Sequence, residues 1–343
     1  MRPRSTTAAV LAAALLACRS GAPPGPAPDD PVSPARVEAM VGHLASDAMA
    51  GRMTGSPGAA AAAAWIAERM REAGIEPAGD SGYFQRVPVA RSATGRPVLA
   101  ADFPARDTFP PERRLEAVNV VGVLPGADRA LAAEVVLVSA HYDHVGIRQP
   151  VEGDSIYNGA DDDASGTVAV LEVARRLRHG PPVGRTVVFA AFIGEEVGGV
   201  GSRWYLQHPV RAMEATVANL NIEMIGRPDS LAGGPGRAWL TGYERSTMGD
   251  GLEAGGVPIV ADPRPAQDFF RRSDNYPLAV RGIVAHTLST FNLHTDYPRP
   301  SDEAGRLDYG HMAQVIEAAV TAVRILADGP RPEWKPGGRP ERE

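Results

Sequence analysis

Two stretches, HYDHVG at 141–146 and GADDDASG at 159–166, place two histidines and four aspartates within twenty-six residues. A third, IGEEVGG, carries adjacent Glu195 and Glu196, and Glu223 stands in the otherwise apolar NLNIEMIGR. Imidazoles and carboxylates are the ligands of divalent cations, and three consecutive aspartates repel one another unless something positive compensates them. A helix start stabilises one of them through its macrodipole, not three. The spacing of a calcium hand with its closing glutamate is absent, which leaves a capped turn or a metal loop. His141 and Asp143 alternate, so at a strand end both side chains leave on one side, where Asp143 is placed to take the second N–H of a metal-bound imidazole. Taken alone, HxD fits a solvated strand end better. Adjacent glutamates cannot face the same way, which suits one ligand and one base turned to water, or a solvated acidic turn. A carboxylate at 223 inside a buried strand needs a metal or an ion pair with Arg227.

Clusters so far apart in the chain need elements that bring them together. The runs AVNVVGV (117–123), EVVLVSA (134–140), RTVVFAAFI (185–193), VANLNIEMI (217–225) and IVAHTLS (283–289) are continuously apolar and rich in β-branched residues, which predicts central strands covered on both faces. Ser33-Pro34 and Ser56-Pro57 are N-cap and first-turn pairs, predicting helices to about Ala48 and to Gly74. Further helices are predicted over about 166–178 and 307–327. The alternation predicts one α/β domain over 33–328, with a mixed, mostly parallel sheet flanked by helices. His141, Glu195, Glu223 and FNLHTDYPRPSD all sit at the carboxyl ends of strands, where open α/β sheets form their ligand crevice.

The flanks read differently. Arg2 and Arg4 precede the apolar run AAVLAAALLA, too short to span a bilayer, which predicts a signal peptide over 1–17. It ends at LLAC, which resembles a bacterial lipobox with Cys18 as the acylated residue, and Cys18 is the only cysteine of the 343 residues. Intramolecular disulfides are therefore excluded. Residues 18–32 are Pro- and Gly-rich and predict a flexible tether, and the similar stretch 329–343 predicts a disordered tail. An exported protein lipid-anchored to the cell envelope is expected. Without Arg2 and Arg4 the balance is 33 basic against 41 acidic residues, a net −8 that argues against nucleic acid as partner.

Read in order, AHYDHVG, NGADDDASG, GEEVGGVGS, NIEMIGR and DYPRPSD resemble the motifs of the secreted di-zinc aminopeptidases related to bacterial leucyl aminopeptidase, aminopeptidase Y and glutamate carboxypeptidase. The resemblance runs from GRMTGSPG near 51 to the final helix. It implies a zinc aminopeptidase-like fold and one or two zinc ions per chain. It makes His141 and Glu223 ligands of one zinc, Glu196 a ligand of the other and Asp162 their bridge. Asp143 becomes the partner of His141, Glu195 the general base, and peptides the substrate.

One position departs from the pattern. The last motif of such enzymes carries a histidine ligand of the second zinc where this chain has Pro298, and a nearby position often occupied by histidine is Asn275. His294 is a surface-loop residue unless the loop turns it inward, His286 reads as a hydrogen-bonded core residue, and His144 as a loop residue packing beside the site. The alternative function is a metal-depleted pseudo-peptidase that binds a ligand without turnover. A second is zinc chemistry on another substrate, as in glutaminyl cyclases, although GEE keeps the peptidase order of base then ligand.

Overall fold

A computed structural model describes residues 30–341. The signal segment, Cys18 and most of the tether lie outside the described residues. All five expected strands are present, at Val118–Leu124, Val135–His141, Thr186–Phe192, Thr216–Ile222 and Val284–Ser289. They belong to a nine-stranded sheet in which Thr186–Phe192, Val135–His141, Thr216–Ile222 and Val284–Ser289 lie side by side and parallel. Val118–Leu124 pairs antiparallel on one flank, and Ala238–Leu240 antiparallel on the other. Every residue of the four parallel strands is buried, as their mostly apolar, β-branched composition favours.

Strand alternation sends the side chains to two separate cores. Val136, Val138, Phe189 and Leu220 pack with helices Pro34–Leu44, Pro57–Glu72, Gly166–His179 and Tyr309–Asp328. Leu137, Val188, Phe192 and Ala285 pack on the other face with Tyr205 and Leu278, from the short helices Val200–Gln207 and Asn275–Arg281.

The two expected N-caps form: Ser33 accepts from Arg36 N and Ser56 from Ala59 N. The first helix stops at Leu44 rather than near Ala48. A 3₁₀ turn, Asp47–Arg52, follows and reverses the chain, with positive φ at Ala50, Gly51 and Arg52. A Cβ at Gly51 would lie 2.4 Å from Tyr157 O, so only glycine lets the chain pass here. The turn delivers Arg52 into the interior.

Both ends of the expected domain need correction. Val32, assigned to the tether, is buried, and its N–H donates to Glu317 Oε1 at 2.7 Å. Residues 329–341, expected as a disordered tail, fold back onto the domain. Trp334 Nε1 donates to Gly282 O at 2.9 Å, its ring lies 5.5 Å from that of His286, and Lys335 N donates to Arg245 O. A single aromatic anchor outweighs the Pro- and Gly-rich composition around it.

Candidate metal centre

His141 ends its strand, and its Nε2 lies 3.2 Å from Asp162 Oδ1 and 3.6 Å from Glu223 Oε1. The other oxygen of Asp162 lies 3.7 Å from Nδ1 of His144, which is 2.7 Å from Glu196 Oε1. Two triads thus share one carboxylate: His141, Asp162 and Glu223 on one side, His144, Asp162 and Glu196 on the other. Glu223 stands just beyond the strand Thr216–Ile222, not within it, and is half-buried. The ion pair with Arg227 does not form, because Arg227 Nη1 pairs with Asp296 at 2.8 Å.

The three aspartates turn apart, which explains why there are three. Asp163 accepts from His141 N, Gly166 N and Met224 N, tying two strand ends to the helix start. Asp161 accepts from Gly226 N at 2.7 Å. Asp162 alone stands between the imidazoles of His141 and His144. Its own N–H and that of Asp161 donate to Asp302.

His141 Nδ1 makes its hydrogen bond to the backbone carbonyl of Asp143 at 3.1 Å, and the Asp143 carboxylate is farther, at 3.7 Å. That carboxylate instead accepts from Thr54 Oγ1 and from Glu195 N, so it holds the Glu195 turn against the His141 loop. Arg52, fully buried, donates to the carbonyls of Leu44, Tyr142, Asn158 and Gly159 and clamps the two histidine and aspartate loops together. Neither role was legible in the sequence, since Thr54 and Arg52 lie some 90 residues from the groups they hold.

Glu195 and Glu196 face different cavities. Glu195 lines a small one with Asp162, Glu223, Met224, Trp239, Phe269 and Phe291. Glu196 lines a cavity of ≈ 640 Å³ with His144, Pro298, Arg91, Arg96 and Arg148, and Tyr297 borders both. Of the other candidates, Asn275 is spent inside the fold on Phe270 O and Thr287 Oγ1, and His286 on Ser246 Oγ and Thr241 O. His294 turns inward, but onto Asp161 Oδ2 at 3.0 Å.

The donor set fits a divalent cation such as zinc. Nε2 of His141, Nδ1 of His144 and Oε1 of Glu196 are buried without a hydrogen-bond partner, which a cation binding their lone pairs would satisfy. The electrostatics agree. Burial raises the Glu195 carboxyl well above its usual range, and Glu223, Asp274 and Glu196 push it the same way. Burial likewise raises Asp162, reinforced by Glu196. Burial alone would lower the His141 imidazole, yet Asp143, Asp162 and Glu223 raise it well above its ordinary value. Such crowded carboxylates are what a bound cation compensates.

Comparison with known proteins gives the family. The peptidase family M28 pattern matches residues 119–323, from the first central strand into the last helix. The chain belongs to peptidase family M28. It is 30% identical over 236 residues to the Escherichia coli protein YfbL, covering 59% of this chain and 69% of that one. It is 33% identical over 167 residues to the probable lipoprotein aminopeptidase LpqL of Mycobacterium tuberculosis, covering 48% of this chain but only 29% of LpqL. The fold of this M28 chain is that of a zinc aminopeptidase from Bacillus subtilis, with a TM-score of 0.62 at 15% identity over 87% of this chain and 96% of that one. No described helix is long and apolar enough to cross a membrane.

Proposed function

We propose that the protein is an exported, lipid-anchored zinc aminopeptidase that removes N-terminal residues from peptides. The observation that carries this reading is the pair of histidine and glutamate sets sharing Asp162, with Glu195 lining the adjoining cavity. His141, Glu223 and Asp162 would hold one zinc, and Glu196 with Asp162 the other. Zinc bound there would supply Lewis acidity toward the scissile carbonyl and lower the pKa of attacking water. The chain's own residues do the rest. Glu195 accepts the proton of that water at its carboxylate and returns it to the leaving amine. Asp143 positions it through the Glu195 N–H, and Asp143 O fixes His141 with Nδ1 as the protonated nitrogen. Trp239, Phe269 and Phe291 exclude water from the small cavity and favour an apolar N-terminal side chain. The larger, arginine-lined cavity beyond Glu196 leaves room for the rest of the peptide.

The pseudo-peptidase alternative rested on the missing ligand at Pro298. The fully provided set around His141 speaks against it, since that set needs nothing from residue 298. The deciding experiment is metal analysis of the purified soluble domain with an assay on aminoacyl test substrates. Bound zinc, hydrolysis lost on chelation and hydrolysis restored by zinc are expected. Zinc-loaded protein without turnover would leave the binding role, and cyclisation of N-terminal glutamine without hydrolysis would leave the cyclase chemistry.

A further inference from the structure

The proline at 298 leaves the second metal position short of the histidine that the resemblance assigns to it. We infer that His144, from the loop that carries His141, takes that place and completes the position with Glu196 and the shared Asp162. This rests on the reading of the site as a zinc centre.

Geometry is the first support. Nδ1 of His144 lies 2.7 Å from Glu196 Oε1 and 3.7 Å from Asp162 Oδ2. A hydrogen bond would explain so short a contact, yet both Nδ1 and Oε1 are buried without a hydrogen-bond partner, so the two atoms are close but not aligned for an N–H···O bond. A cation bound by both lone pairs satisfies both. The same holds at the first position, where His141 Nε2 is also buried without a hydrogen-bond partner beside Asp162 and Glu223. The two positions are therefore alike, each with one imidazole, one private glutamate and one oxygen of Asp162.

A built seat is the second support. Gly159 has φ +59, and a Cβ there would lie 2.5 Å from Cγ of His144, so the bare backbone makes the space for the ring. Arg52 grips the carbonyls of Tyr142 and Gly159 on either side of that contact. The rivals are placed elsewhere: His294 Nε2 is held by Asp161 and His294 belongs to neither ligand group, Asn275 is spent in the core, and Pro298, which has no side-chain donor, sits across the same cavity as His144. The second position is thus held by the loop at 141–144, and the loop bearing Pro298 is released from the metal.

The test is zinc content after dialysis, with affinities from chelator competition, on the full chain and its variants. The unmodified protein should hold two zinc ions, one per triad. His144→Ala should keep one zinc and weaken the other at least tenfold to a hundredfold, about the loss seen even for outer partners of a ligand. Pro298→His alone should change neither affinity, while added to His144→Ala it should restore part of the loss. Because His144 is buried, long-range nitrogen NMR of the unmodified protein gives a readout that needs no variant. Zinc should shift His144 Nδ1 and leave both nitrogens of His294 in place. Two tight zinc ions in His144→Ala, one zinc raised to two by Pro298→His, or an unmoved His144 resonance would each overturn the inference. Failure of the zinc reading itself looks different, with no zinc bound to any form, including the unmodified chain.

Discussion

Glu195 and Glu196 show how little separates the proposed base from the proposed ligand at the scale of single residues. They share a turn, both are acidic, and only the direction of each side chain decides its surroundings. Glu196 is drawn to His144: burial would raise its carboxyl, but the imidazole of His144 beside it pulls it below the ordinary range. For Glu195, burial outweighs the lowering charge of His141, and the carboxylates of Glu223, Asp274 and Glu196 raise its proton affinity further. Glu195→Gln should therefore retain zinc while lowering kcat by on the order of 10² to 10⁴, because an amide accepts no proton. Zinc analysis alongside turnover checks it, and near-normal turnover would remove Glu195 from that role.

At the scale of elements, four parallel strands ending on one side carry the chemistry to a common place. Polar side chains in those strands pair across the sheet, as Ser139 Oγ does with Asn221 Oδ1 at 2.8 Å and Asn219 Nδ2 with Ser139 Oγ at 2.9 Å. His286 on Val284–Ser289 is the sharpest case. Its Nδ1 faces Thr241 O and its Nε2 faces Ser246 Oγ, both at 2.7 Å, an arrangement that suits the neutral ring with its proton on Nδ1. Burial pushes its pKa down to about 4. The unfolded chain, near the ordinary 6.5, binds a proton that the folded chain refuses until about pH 4. The stability from this group is full above about pH 6.5 and is lost as the pH falls toward 4, by up to about 3 kcal/mol. His286→Gln should thus lose less stability than the unmodified protein between pH 7 and pH 5. Urea midpoints at the two pH values measure this, and equal losses would show that His286 does not titrate in this way.

Across the whole molecule, the domain is larger than its composition suggests, beginning by Val32 and running through the segment that seats Trp334 against His286. The proposed anchor lies in the sequence that precedes it. An apolar run ending at the sole cysteine is the basis for an acyl anchor, and the Pro- and Gly-rich stretch after Cys18 would give the domain reach from a membrane. One acyl chain binds a membrane only marginally, so anchoring requires the further chains of a lipoprotein cysteine. Cys18→Ser should move the protein from the membrane fraction to the soluble one, as fractionation of expressing cells would show. Retention in the membrane through residues 19–343 would discard the lipoprotein reading.

The sequence by itself determined what is local or periodic. Mostly apolar, β-branched runs marked the five central strands, serine followed by proline marked two helix starts, and the order of acidic motifs marked the family. Each depends on neighbours in the chain, where hydrophobic burial and capping act directly. Tertiary structure alone decided which groups meet across the fold. It turned Asp162 rather than Asp161 or Asp163 to the imidazoles, gave Arg227 to Asp296 instead of Glu223, and sent Arg52 inward to grip four carbonyls. It also set His144 against Glu196 where Pro298 offers no donor. A lone pair has no preferred partner until packing fixes what stands opposite it, and no single motif records that partner.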